Sequence, residues 1–196
     1  MASTSPKPTR PDAMLPRVVE APDPLVTLVE AKLYLRVDST LEDDLINAFL
    51  ASASAFFDGP RSIGRAIGAQ TLEFDLPCFP CGGIDIPAPT FTSLVSIAYV
   101  DAEGAEQTID AADVRFADGR RVDGQLLPAS PWPLDAAPDT IRIRYVAGCP
   151  EGEPFLAIAK QGVRLLTKYW YDDREAFGQY PAAAHDLRKL IRVRRF

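Results

Sequence analysis

Cys78-Phe79-Pro80-Cys81 is the first place in this chain to look for chemistry, because paired thiols at this spacing can share a metal ion or close a redox disulfide. A zinc site wants four ligands, and the sequence adds only Cys149 and His185, each far from the pair. A redox motif expects a helix N-terminus in a βαβ setting. Here the pair follows an alternating strand pattern and leads into the turn Gly82-Gly83. His185 is the only histidine, so a Ser-His-Asp or Cys-His site would have to use it, and nothing nearby positions it. Glu42, Asp43 and Asp44 place three carboxylates together, but successive helical residues diverge by about 100°, and acids here suit a helix N-terminus. Gly64-Arg65-Ala66-Ile67-Gly68 reads as a turn entering a strand, and no phosphate loop, dinucleotide fingerprint or HExxH is present. Trp132 and Trp170 read as packing residues. The residues support no active site, metal or cofactor. A small cytoplasmic thiol or metal enzyme using the CxxC stays as a rival reading.

The elements that would position any site begin with the apolar run Phe155–Arg174. Val163, Leu166, Tyr169 and Trp170 recur at steps of three and four and predict the core face of a helix. Pro154 suits its first turn and Gly178 is a stop beyond it. Gly162 inside the run costs about 1 kcal/mol against alanine, which points to close packing. Upstream, Thr27-Leu28-Val29-Glu30 is a capping box that opens a short helix to about Arg36. Ser39-Thr40-Leu41-Glu42 repeats the pattern and opens a second helix to about Phe57, with Leu41, Leu45, Phe49, Ala53 and Phe56 as its apolar stripe, flanked by Ile46 and Leu50. From Gln70 the period changes to two, and Leu72, Phe74 and Leu76 alternate with Thr71, Glu73 and Asp75, the polar face of a half-buried strand. Short strands follow at Ile84–Ile86, Leu94–Val100, Glu106–Ile109, Val114–Phe116, Gln125–Leu127 and Thr140–Val146. The fold expected is α+β: a helical bundle with an inserted antiparallel β region between the second and third helices, and extended N- and C-terminal arms.

Residues 1–24 carry six of the 18 prolines and read as an extended arm. Residues 25–184 form the body, with helices at about 27–57 and 154–174 and the β insertion at about 70–146. Residues 185–196 are a basic arm in which Pro181 leads into a small stripe of Leu187, Leu190 and Ile191. Net charge is −6, but residues 1–184 hold 16 basic and 26 acidic groups, a net of −10, against +4 in the tail. Such a body is poorly suited to gripping nucleic acid, while the tail can meet an acidic partner. No apolar run approaches the ~20 residues of a membrane helix. The N-terminus lacks the apolar core of a secretory signal, and three cysteines without a leader point to a reducing cytoplasm.

Four segments in order resemble the head–tail connector (adaptor) proteins of long-tailed bacteriophages and gene transfer agents. They are LVTLVEAKLYLRVDSTLEDDLINAFLASASAFF, GRAIGAQTLEF, AIAKQGVRLLTKYWYDDREA and LRKLIRVRRF, together spanning roughly residues 25–196. The proline-rich arm and the CFPCGG turn lie outside the resemblance. It implies a structural virion protein of the neck, assembled in the host bacterial cytoplasm. Members form a closed ring of copies, usually a dodecamer, that docks on the portal protein, extends the channel for non-specific passage of double-stranded DNA, and presents a platform to a stopper or tail-terminator protein. The C-terminal segment would reach the portal, which assigns docking to Leu187, Arg188, Leu190, Ile191, Arg192, Arg194, Arg195 and Phe196. A tail-completion or stopper protein one layer lower is the nearer alternative. Either way no enzyme and no membrane partner is expected.

Overall fold

A computed structural model describes residues 16–87, 90–117 and 124–193. Helices and strands are mixed, so the fold is α+β. The chain divides into two compact units: a β unit from the segment ending at Val19 together with Thr71–Val146, and a helical unit from Glu20–Gln70 with the chain from Ala147 onward.

In the helical unit, α1 (Leu28–Leu35) starts at the expected capping box: the Thr27 hydroxyl accepts from the Glu30 amide, and the Thr27 amide donates to the Glu30 carboxylate. Arg36 closes it in a left-handed conformation, φ 60°. The helix α2 (Asp43–Phe57) departs from expectation. Its N-cap Glu42 makes no capping bond, and Leu41 lies before the helix and is 93% exposed. Phe49 and Ala53 of the expected stripe are buried together with the flanking Ile46 and Leu50 and with Phe57, while Leu45 and Phe56 are partly buried against the same cluster. Past the helix, Asp58 accepts from the amides of Gly59, Ile67 and Gly68 and from the Gln70 side chain, at 2.6–3.2 Å. This carboxylate gathers the returning loop onto the end of α2. Burial pushes its pKa up against the pull of those donors.

The helix α3 (Pro154–Asp172) is the core of this unit. Pro154 occupies its first turn, and Val163, Leu166 and Trp170 are fully buried while Tyr169 is partly buried against the same cluster. Each such side chain contributes about 1.5–3 kcal/mol on full burial. A single turn of 3-10 helix (Arg174–Ala176) follows, then Gly178 with φ 86°, and then α4 (Ala182–Ile191), with Pro181 at its N-cap position and no side-chain capping bond.

The β unit holds a five-stranded sheet and a three-stranded one. In the larger, the strand order is β1 (Arg17–Glu20), β2 (Gln70–Leu76), β8 (Ile141–Ala147), β4 (Phe91–Val100) and β5 (Glu106–Ile109). The smaller runs β3 (Ile84–Asp85), β7 (Gln125–Pro128), β6 (Val114–Ala117), with both pairings antiparallel. The connection from β4 to β5 is the expected hairpin, closed around Asp101, which accepts from the amides of Glu103 and Ala105 and from the Gln107 side chain. Ile141, Ile143 and Tyr145 of β8 are fully buried, with Arg142 and Arg144 on the opposite face. One strand comes from the segment expected to be an extended arm: Arg17–Glu20 pairs at the sheet edge, and residues 1–15 lie outside the described residues.

The approach of α2 to α3 is set at Gly162, where an added Cβ would stand 2.4 Å from the Phe57 ring. Gly162→Ala should therefore destabilise, although alanine is the better helix former by about 1 kcal/mol. Overpacking against a fully buried ring costs about 1–3 kcal/mol. Urea denaturation followed by far-UV circular dichroism should give a lower midpoint than wild type. A midpoint equal or higher would mean the helices part without cost.

Candidate assembly surfaces

The segment expected to dock on a portal is in large part tied into the helical unit. Ala184 and Ile191, seven residues apart on one edge of α4, are fully buried, and Leu187 is partly buried against the same core. The Arg188 guanidinium donates to the carbonyls of Phe56 (3.1 Å) and Ser62 (2.7 Å) and to the Ser62 hydroxyl (3.2 Å). It also lies 4.6 Å from the centroid of the Phe56 ring. Burial lowers its pKa from the usual guanidinium value, and Arg192 adds to the effect. The Val193 amide then donates to the Ile63 carbonyl at 2.8 Å. Ile191 and Arg188 thus hold the fold together. Leu190, 64% exposed, and Arg192 face solvent. Arg194, Arg195 and Phe196 lie outside the described residues.

Aromatic residues secure the base of this helix. The Trp170 indole donates to the Gln179 carbonyl at 2.9 Å, and its ring meets those of Phe49, Phe177 and Tyr180. Tyr180 stacks on Phe56 with 4.3 Å between centroids, and both meet His185 edge-on. Tyr171 and Arg174 reach back to Glu42: the tyrosine hydroxyl donates at 2.6 Å, and the arginine forms an ion pair with the same carboxylate. The Tyr171 bond first, and the arginine second, hold Glu42 below the usual carboxylate range.

In the β unit, Glu73 was expected on a solvent face of β2 but is 2% exposed. Arg17 of β1 and Arg144 of β8 both donate to its carboxylate, and Arg142 stands 3.7 Å away. Burial alone would push its pKa up, but hydrogen bonds from Arg144 and Arg17 outweigh that and hold it below the ordinary value. Sequence alternation gave no sign of this cluster, since its arginines come from strands distant in the chain. Cys78 and Cys81 are free and exposed on a turn held by other groups. The Trp132 indole donates to the Gly82 carbonyl at 2.7 Å, and its ring stacks on Phe79 at 5.2 Å. Among the described residues no three His, Cys, Asp or Glu side chains cluster in a way that could hold a metal ion.

No family model and no curated protein matches this chain. Solved structures do match it. One is a chain of the virion of a native gene transfer agent particle, 19% identical, covering 93% of this chain and 97% of that one at a TM-score of 0.67. A second belongs to the neck of an empty gene transfer agent particle computed with C6 symmetry, 20% identical at a TM-score of 0.68, with the same coverage. A third belongs to the neck of the native particle computed with C12 symmetry, 17% identical at 0.64. The fold is shared over nearly the whole of both chains. It is the fold of a chain found in gene transfer agent particles.

The Glu73 cluster fixes the only strand that residues before Val19 contribute among those described. A carboxylate whose folded pKa lies below its unfolded value of about 4.3 adds stability that is present above that value. The contribution is lost as pH falls through the folded pKa. Glu73→Gln should lower stability at pH 7 by roughly 1.5–3 kcal/mol, the range for hydrogen bonds to charged groups, since the half-exposed arginines left behind can hydrate. It should also flatten the loss of stability below about pH 4. Urea midpoints of both proteins between pH 3 and pH 7 check this, and parallel curves would remove Glu73 from the account.

Proposed function

We propose that this protein is a structural component of the neck of a phage or gene transfer agent particle, a head–tail connector that assembles as a ring on a portal. The ring extends the DNA channel and gives tail components their platform. The observation that carries this reading is the likeness over 93% of this chain and 97% of its neighbours to chains of such particles, including necks computed with C6 and C12 symmetry. Charge supports it independently. From Tyr99 to Asp113 the chain has five acidic residues and no basic one, and the whole carries −6. A surface of that sign lets DNA pass without sticking, because affinity for duplex DNA comes mainly from cations that replace its counterions.

Docking on the portal is assigned to the outward part of the C-terminal segment: Leu190, Arg192, Arg194, Arg195 and Phe196. Leu187, Arg188 and Ile191 belong to the same segment but pack and bond within the helical unit, so their share in docking is to hold α4 in place. Charge-assisted bonds from the arginines to portal carboxylates would set register and make attachment salt-sensitive. The β unit is assigned to contacts between neighbouring copies, where its short strands leave edges to be covered. Each such interface should bury at least about 1,200 Å².

The test removes the outward residues and keeps the fold. A variant lacking Arg194–Phe196 and carrying Arg192→Glu should stay soluble with an unchanged urea midpoint, yet fail to co-purify with portal-bearing heads, leaving DNA-filled capsids without tails. Normal tailed particles from this variant would overturn the portal contact. Binding of the wild-type protein to an adaptor-loaded neck, but not to portal alone, would assign it to the stopper layer.

A further inference from the structure

One apolar side chain of the β unit is held fully out in solvent. Leu134 is 101% exposed, between Pro133 and Asp135. It is fixed there from both sides. On one, Trp132 is 7% exposed, stacked on Phe79 and bonded to Gly82. On the other, the Ala137 amide donates to the Val100 carbonyl at 2.7 Å, and the Thr140 hydroxyl donates to the Ala137 carbonyl at 2.7 Å. The CFPCGG turn thereby acquires a role, as the base on which this projection is mounted. A knob preorganised in this way loses little conformational entropy when it is buried.

The helical unit carries an open, shallow recess on α1. Val29 and Leu33, 77% and 81% exposed and one turn apart, stand at it with Val37 beside them. Lys32, Arg36 and Asp38 complete its lining. Lys32 is already committed to Asp43 at 2.6 Å. Arg36 has no ion-pair partner among the described residues, and neither has Asp135. Asp38 lines the same recess, so attraction depends on Asp135 meeting Arg36 and not on an overall positive charge.

Resting on the ring reading above, we infer that Leu134 of one copy seats on the Val29–Leu33 face of the next, with Asp135 paired to Arg36. Knob and recess are different patches of one chain, so the contact is heterologous, the kind that closes into a ring when the rotation between copies is right. Fixed opposite charges at the end of an apolar recess would set the register of neighbours more than their affinity.

Sedimentation velocity of the purified chain, alone and with portal protein added as a template, tests the pairing. Arg36→Asp and Asp135→Arg change exposed residues, and aspartate tolerates the left-handed backbone at position 36. Both variants should keep the wild-type urea midpoint. Each alone should raise the concentration needed for ring assembly roughly tenfold or more, by placing like charges opposite one another. The double variant should return to within about threefold of wild type. Leu134→Asp should abolish assembly. Rings from all variants at wild-type concentration would overturn this contact and leave the ring reading standing, as would a double variant no better than the singles. A wild-type chain that forms no ring even with portal present would overturn both.

Discussion

The ring of Phe57 lies against Gly162 so closely that a single added carbon would overlap it, and the rest of the helical unit depends on this approach. It brings α2 near enough for Phe49 to reach Trp170 and for Glu42 to reach Tyr171 and Arg174. With Trp170 in place, its indole holds the Gln179 carbonyl and Tyr180 stacks on Phe56. That stack sits where Arg188 can bond the Phe56 and Ser62 carbonyls. The chain of contacts runs from one missing methyl group to the placement of α4. A dense interior transmits displacement in this way, because its side chains have no spare volume to absorb it.

Local patterns in the sequence were legible where the physics is local, and misled where distant residues compete. Thr27 and Glu30 form the capping box their spacing announces. Ser39 and Glu42 have the same spacing and do not: Glu42 stands at the N-cap position itself, and its carboxylate is held by Tyr171 of α3 and by Arg174 just beyond it. Alternation along β2 correctly separated Leu72, Phe74 and Leu76 from their neighbours, but could not reveal that Glu73 is enclosed. That depends on strand order, which puts Arg17 and Arg144 on either side of β2. At the C-terminus, Leu190 and Ile191 share one apolar stripe, yet Ile191 is fully buried and Leu190 is 64% exposed. In a ten-residue helix with alanine on the buried edge, adjacent apolar positions carry almost equal claims, and only the partner surface decides between them.

The two enclosed carboxylates illustrate opposite solutions to one cost. Desolvation disfavours the charged form of both. At Glu73 the cost is offset by cations, which pull the pKa down. At Asp58 the donors are neutral amides, and desolvation prevails. The signs of their linkage to pH differ accordingly. A raised carboxylate contributes most below its unfolded pKa and loses that contribution as pH rises towards the folded value. A lowered one contributes above its unfolded pKa and loses it on acidification. Acidification below about pH 4 therefore loosens the β unit at the Glu73 cluster, whereas the gain at the Asp58 loop comes at higher pH, between its raised folded pKa and its unfolded value, and is complete by then. Because each carboxylate lies within its own unit, the opposing trends act on separate parts of the chain.

Net charge constrains how such a protein can assemble. Copies carrying −6 each repel at long range, so association on a general electrostatic basis is unfavourable. Contacts between copies must then come from apolar burial with isolated opposite charges that fix register. The inferred seating of Leu134 and Asp135 on Val29, Leu33 and Arg36 of the next copy has that character. The proposed attachment to a portal through a basic tail is a different case, since towards an acidic partner the tail's long-range term is attractive. Salt acts on the two in opposite senses: it screens the repulsion that resists ring closure and screens the attraction that holds the tail to an acidic partner. Rising ionic strength thus favours the ring over its attachment. On the proposed reading, tails acting together strengthen attachment at cellular salt, because a ring turns each later tail contact into an intramolecular event. Ring closure and docking then reinforce one another, and the apolar contacts between copies are the part that salt does not weaken.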